Sequence, residues 1–410
     1  MESASSIVEQ AIASYKHMPF ETKELYKKYV LNMKIPQGAG AGGPENELES
    51  LKSQIIAESR LRFDLINDAN GASSKSEFVK ITKNKKSPYS EDSKESYEER
   101  LGSYISKTSE STVEVNVPSR KEAKLNFLFL CGNANAPVQI VVNVGDGSKL
   151  SLFEWFGSTS TSNSLSAPLH VVSAGKGSVV EVNMLHNENT STLVGALNRI
   201  IAGEKAKVRF NMVYNGGSTT KSTTFAEAAG KESDLLVNEI VFGHRKQRFD
   251  ISTFVLNSNE FTRALLKSGA VLRGKSFCAL KGYAKVQKNT RGSYSNVKEK
   301  GLVMDPDARI QPLPDMSIDC KDVAFASHSA STTPIDREAL FYIMSRGIDE
   351  DKAKRIFVAS FISKYLADIE NDIVKEIAIS IMLDKLDNDR HAHVPKISLQ
   401  SMWVVPGNKK

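Results

Sequence analysis

The sequence predicts a mainly β chain: a long run of short strands, stacked as a solenoid in preference to a sandwich, between helical segments at both ends. Three observations carry this. Apolar residues recur at helical spacing up to about residue 110, alternate with a period of two from Thr112, and return to helical spacing after residue 333. The β region runs for more than 200 residues, about twice what a sandwich holds, whereas a solenoid accepts any number of coils. Gly274, Gly282, Gly292 and Gly301 recur at short intervals, as tight corners require. No strict repeat motif is present, so on pattern alone the sandwich stays open.

The elements follow in order. Residues 1 to about 35 read as helical, with Ser6 and Glu9 at capping-box spacing and Val8, Ile12 and Tyr15 on one face. Pro19 interrupts this pattern, and a short amphipathic stretch through Leu25, Tyr29 and Met33 ends at Pro36. Gly38 to Gly43 is a loop, helical spacing resumes at Glu45 and runs from Leu51 to Leu65, and the charged, serine-rich stretch Lys83 to Arg100 is an exposed connector. Thr112–Val117, Val138–Asn143, Ser178–Asn183 and Lys207–Met212 are β-branched and bounded by turn residues, which makes them strands. After Pro334, Asp336 caps a helix with Leu340, Phe341, Ile343 and Met344 as its buried face, and Arg346-Gly347 stops it. Asp349 caps a second helix through Ala353, Ile356, Phe357, Phe361 and Leu366, and a third spans Asp372 to Leu386. The expected division is therefore a mainly helical unit with connectors over 1–110, a β core over 111–333, and a helical unit with a tail over 334–410.

Composition bounds the function. Hydrophobic residues at 40% and charged residues at 25% exclude a disordered, collagenous or coiled-coil chain. The N-terminus has no basic region followed by an apolar stretch, and no apolar run is long enough to span a bilayer, so neither secretion nor a membrane partner is expected. Three cysteines, Cys131, Cys278 and Cys320, do not describe a disulfide framework and point to a reducing, cytoplasmic setting. The net charge of +6 is unevenly spread: residues 261–300 hold ten Lys or Arg and one acid, Glu299. That segment is either a solvated basic face or a contact for an anionic partner.

The stretch Gly301 to Phe361 resembles one family in detail. Leu302-Val-Met-Asp-Pro-Asp-Ala308, Pro314-Asp-Met-Ser-Ile-Asp-Cys-Lys-Asp-Val323, Ser327-His-Ser-Ala330 and Phe341-Tyr-Ile-Met-Ser-Arg-Gly-Ile348 follow, in order and near-identical spacing, the signature of the SufB/SufD iron–sulfur cluster assembly scaffolds. Gly274 to Val286 resembles the preceding coils, so the resemblance covers about residues 260–362. It implies a right-handed parallel β-helix flanked by N- and C-terminal helical domains. It further implies a scaffold of the SUF system that is not an enzyme. Such a scaffold pairs through its β-helix with a SufB/SufD-type paralogue or a second copy of itself, docks a SufC-like ABC ATPase through its C-terminal helices, and receives sulfur from a donor. The cargo it implies is a transient iron–sulfur cluster.

The resemblance also selects site residues. His328 matches the motif histidine and is the first candidate ligand for iron or a cluster, since neutral imidazole ligates iron; a structural histidine is the competing reading. Cys320 lies eight residues earlier, and its thiolate is a natural cluster ligand and persulfide acceptor, against a small buried hydrophobe. Eight residues of straight strand span roughly 26 Å, so the two meet at one metal only if the chain turns near Lys321-Asp322 or a second subunit contributes. Phe341, Tyr342 and Arg346 are the ATPase-docking candidates, although a helix stop uses the same residue types. Ala326 stands where many SufD-like chains carry cysteine, and residues 303–313 lack the cysteine usual in SufB-like chains. Cluster binding by this chain alone is therefore not expected, and a SufD-like role is favoured. Cys278 and Cys131 read as core, and His391-x-His393 as an exposed pair in a polar tail. Two rival functions are a carbohydrate-active β-helix enzyme, which needs a secretion signal and convergent acids, and a nucleic-acid-binding module using residues 261–300.

Overall fold

A computed structural model of the chain describes residues 3–21, 23–31, 33–35, 45–59, 61–68, 71–85, 96–132, 134–159 and 163–387. The helices are α1 (Ala4–Ser14), α2 (Glu24–Lys27), α3 (Glu45–Ser59), α4 (Tyr97–Thr108), α5 (Arg337–Ser345), α6 (Glu350–Leu366) and α7 (Asp372–Asp387). The first strands are β1 (Leu65–Asp68), β2 (Gly71–Ser74) and β3 (Val79–Lys83). They are followed by β4 (Ser111–Val117), β5 (Glu122–Cys131), β6 (Ala136–Val144), β7 (Lys149–Ser158), β8 (Leu165–Ala174), β9 (Val179–Asn187), β10 (Leu193–Ala202), β11 (Lys207–Tyr214) and β12 (Thr219–Ala228). The remainder are β13 (Asp234–Gly243), β14 (Arg248–Asn257), β15 (Arg263–Leu272), β16 (Phe277–Val286), β17 (Tyr294–Val303), β18 (Arg309–Pro312), β19 (Asp315–Ile318) and β20 (Phe325–Pro334).

From β4 to β20 the chain alternates between two parallel sheets and completes about eight coils of a β-solenoid. The first sheet orders β2-β1-β5-β7-β9-β11-β13-β15-β17-β20; the second orders β18-β16-β14-β12-β10-β8-β6-β4-β3, with β19 also on β16. Register is strict because each strand stacks like residues on like. Leu125, Leu152, Val182, Phe210, Val237, Leu266 and Val297 align strand upon strand and are all buried inside the coils. A slip of one residue would turn this whole column outward.

Corners leading from the second sheet to the first carry a left-handed residue every 27 to 31 positions: Arg120, Gly147, Gly177, Lys205, Glu232, Phe261 and Gly292. Two residues before four of them stand Gly145, Gly175, Gly203 and Gly230, where a Cβ would lie only 2.0–2.6 Å from the neighbouring coil. The repeat is thus one of backbone geometry. The left-handed position takes charged and aromatic residues as well as glycine, which is why no strict motif marks it.

Both outer faces are covered. The C-terminal helices bury Val358, Ile362, Tyr365, Ile377 and Met382 against Leu185, Val213, Phe242 and Val271 of the first sheet. The N-terminal segment packs Tyr15, Phe20, Tyr26 and Leu101 on Leu169, Leu197 and Phe254 of the second. Beneath it lies a buried ion pair, Lys281 Nζ to Asp250 at 2.8 Å, whose carboxylate also accepts the Leu31 amide at 3.0 Å. Burial lowers the Lys281 pKa, opposed by Asp250.

Several local expectations change. Ser3 rather than Ser6 caps α1, accepting the Ser6 amide, because the helix starts one turn earlier. The second N-terminal helix is only Glu24–Lys27. Helical spacing from Leu51 ends at Ser59, and Leu65 begins a strand, because Leu65–Asn67 pair in parallel with β5. β1 to β3 fall inside the segment read as helical and join the two sheets. Part of the connector becomes α4, closed by a reciprocal capping box between Ser96 and Glu99. Gly38 to Gly43 and His391-x-His393 lie outside the described residues.

Candidate functional site

Among the described residues the last coil differs from the others in lacking a neighbour. β20 pairs with β17 on one side only, so its second row of backbone groups faces solvent over ten residues, and nearly all its side chains are exposed or half-buried. The strand is Phe-Ala-Ser-His-Ser-Ala-Ser-Thr-Thr-Pro, with no charged residue to deter pairing before Pro334. Phe325 anchors it by stacking on Tyr294 at 4.5 Å, and Arg263 lies over the Tyr294 ring at 4.9 Å. The opposite end of the solenoid is closed by β1, β2 and β3, short strands of four or five residues that bring in antiparallel pairs.

His328 sits on this open edge. It aligns on Val297 and so ends the inward column of apolar residues, exposed because no described coil follows. Cys320 is half-buried between β19, in the second sheet, and β20, in the first. The chain therefore turns between the two candidates, as a shared metal requires, with the Asp322 carbonyl accepting the Gly292 amide at 2.7 Å in that corner. Among the described residues no group of three or more His, Cys, Asp or Glu is arranged to hold a metal ion. Two donors on one coil are an incomplete ligand set. Cys278 and Cys131 are buried, and burial pushes the Cys278 thiol well up, reinforced by the negative charges of Asp250, Glu239 and Glu299.

Behind the open edge runs a line of acids that sequence reading missed. Glu239 aligns on Ser268, Ser268 on Glu299, and Glu299 on Ala330 of β20. Glu239 accepts hydrogen bonds from Ser268 Oγ at 2.6 Å and from Thr253 Oγ1. Burial raises its pKa to about 7, more than those hydroxyls lower it. Glu299 accepts the Leu313 amide at 2.7 Å, and burial raises its pKa well above the ordinary value. The signal was present: in β13, Leu235, Val237, Glu239 and Val241 occupy one alternating face, and a glutamate there must point inward.

The C-terminal helices expose a second surface. No residue of α5 is buried, and Phe341 is 72% and Tyr342 59% exposed. The expected buried face is therefore a correction: Leu340 and Ile343 are half-buried, while Phe341 and Met344 face outward with Ile356 of α6. Asp336 caps the helix as expected, and Arg346 donates to the Tyr342 hydroxyl at 2.6 Å with its guanidinium over the ring. Gly347 takes the left-handed stop at φ +86°. The basic segment forms no single cationic face, because seven of its ten cations pair with Asp234, Asp368, Asp305, Asp307, Asp250, Asp319 and Glu260. No described helix is long and apolar enough to cross a membrane.

An open sheet edge and an exposed apolar helical face lie on a two-sheet parallel β-solenoid. Residues 130–361 match the family described as "SUF system FeS cluster assembly, SufBD core domain". The chain belongs to the SufBD family of the SUF iron–sulfur cluster assembly system. It is 20% identical over 235 residues to the iron-sulfur cluster assembly protein SufD of Escherichia coli, covering 57% of this chain and 55% of that protein. It is 23% identical over 172 residues to SufD of Bacillus subtilis (42% and 39%), and 26% over 162 residues to a SufBD family protein of Mycobacterium tuberculosis (40% and 19%). The chain thus spans between about a fifth and about half the length of these curated relatives.

Proposed function

We propose that this chain is a scaffold subunit of SUF cluster assembly that itself catalyses no reaction. It pairs through β20 with a SufB/SufD-type chain or a second copy of itself, and recruits a SufC-like ABC ATPase through α5 and α6. The observation that carries this reading is the long, uncharged strand edge at one end of the solenoid, unpaired among the described residues. Strand addition there would satisfy a row of backbone groups and bring His328 and Cys320 to the junction, where the partner supplies the remaining ligands to a transient iron–sulfur cluster delivered with donor sulfur. The exposed Phe341, Tyr342 and Met344, with Arg346 fixing the Tyr342 ring, support the ATPase contact. The lack of a cysteine in residues 303–313, where SufB-like chains usually carry one, favours a SufD-like role.

The Phe325 amide donates to the Ser293 carbonyl, so by strand alternation the Ala330 amide points to the free edge. Ala330→Pro should then leave the monomer folded and abolish pairing, measured by light scattering with and without SufB-type and SufC-type subunits. Pairing that survives this substitution places the interface elsewhere. Anaerobic reconstitution of the complex with iron and sulfide should lose cluster absorbance in Cys320→Ser and His328→Ala; unchanged absorbance in both removes these residues from the site.

A further inference from the structure

The outer face of the last two coils carries positive charge beside the open edge. Residues alternate along β17, so that Val297 and Glu299 are buried inside the coils while Lys298 and Lys300 are exposed on the outer face. On β15, one strand further from the edge, both cations of this face are matched: Arg263 by Asp234 at 3.8 Å and Lys267 by Asp368 at 2.6 Å. Lys298 and Lys300 form no ion pair among the described residues. The other outward residues of β17, Tyr294, Asn296 and Leu302, bring no acid to them.

A single strand separates these lysines from the free edge. Ser329 of β20 aligns on Lys298 and Ser331 on Lys300, and both serines are exposed. A strand added on β20 would lie two inter-strand spacings from β17, about 10 Å. Lysine carries its charge at the end of a four-carbon stem, so a lysine and a carboxylate reaching toward each other over a serine close that gap. The register asks for two such carboxylates, two residues apart on one face of the added strand. A second copy of this chain does not supply them from β20, which is uncharged. Two-fold antiparallel pairing of β20 with itself would continue the outer face as serines flanked by lysines on both sides, like charge added to like.

We propose that the strand received by β20 belongs to a different chain and carries aspartate or glutamate on its outward face opposite Ser329 and Ser331, where Lys298 and Lys300 meet it. This rests on the pairing through β20 proposed above and selects between its two partners. Light scattering of the full chain with the SufB-type subunit, over a concentration series at about 0.05 M and about 0.5 M salt, tests it. Lys298→Glu combined with Lys300→Glu should pair at least about tenfold more weakly at the lower salt, and the difference should shrink at the higher. Lys149→Glu combined with Lys246→Glu makes the same charge change at exposed lysines remote from β20 and should pair like the wild type. Wild type alone should remain a monomer. Ala330→Pro separates two failures. If it abolishes pairing while the β17 reversal weakens pairing no more than the remote one, the acidic partner strand is refuted and the β20 edge stands. If pairing survives Ala330→Pro, or the wild type does not pair, the edge itself falls and this inference with it. Self-association of the wild type as tight as its pairing with the SufB-type subunit also overturns the proposal.

Discussion

Glu239→Gln isolates the energetic cost of an ionisable group sealed inside a solenoid. The carboxyl is buried, accepts from two hydroxyls, and has its pKa raised by burial to about 7 from an ordinary 4.5. A carboxyl that holds its proton more tightly when folded favours the native state while protonated. Its contribution is full below about pH 4.5, falls as the pH climbs toward 7, and is constant above. Carrying the carboxyl from 4.5 to about 7, at about 1.4 kcal/mol per pH unit, amounts to about 3–4 kcal/mol in full, of which about 3 kcal/mol falls between pH 4.5 and 8. Glutamine keeps the volume and resembles the protonated acid, so the variant should lack this loss. Urea unfolding of both proteins between pH 4.5 and 8 should show their stability difference moving by about 3 kcal/mol in favour of the variant. Loss of the Glu239 charge also eases Glu299, which adds in the same direction. A difference that stays constant across this range would refute the claim that Glu239 ionises at a cost inside the coils.

Two further substitutions probe the architecture. Gly230→Ala places a Cβ 2.0 Å from the Glu204 amide nitrogen and 2.2 Å from the Gly203 carbonyl carbon, both backbone, so adjacent coils must separate; a loss of roughly 3–5 kcal/mol in urea unfolding is expected, and a loss below about 1 kcal/mol would contradict the close-stacking account. At Gly269 a Cβ would meet the Tyr365 ring at 2.6–2.9 Å, so Gly269→Val should lift α6 off the first sheet and raise hydrogen exchange in α6 and α7 while the coils stay protected; protection unchanged in both helices would show that the ring has room to move.

The β core was legible because its strands alternate on short range and its outer faces carry apolar residues for the flanking helices to cover. Sequence pattern left the sandwich open, since the coil period varies between 27 and 31 residues and Lys205, Glu232 and Phe261 occupy left-handed positions that a glycine motif would not find. β2, Gly-Ala-Ser-Ser, has little strand propensity of its own and exists because β1 offers it a partner. In α5 the helical spacing was read correctly and the burial was not. Amphipathic pattern says that a face seeks a partner, and Phe341 stays exposed among the described residues. His328 and Cys320 could be placed on one coil only once the turn between β19 and β20 was known, because linear spacing sets a maximum reach and not a direction.

The asymmetry between the two ends of the solenoid limits what the molecule can build. A body with long sticky edges at both ends would add copies head to tail without limit and grow into fibres. Here short antiparallel strands finish one end and a single long strand remains at the other. Under the proposed pairing through β20, growth by strand addition would therefore stop after one step, and the closed first coil would set the stoichiometry.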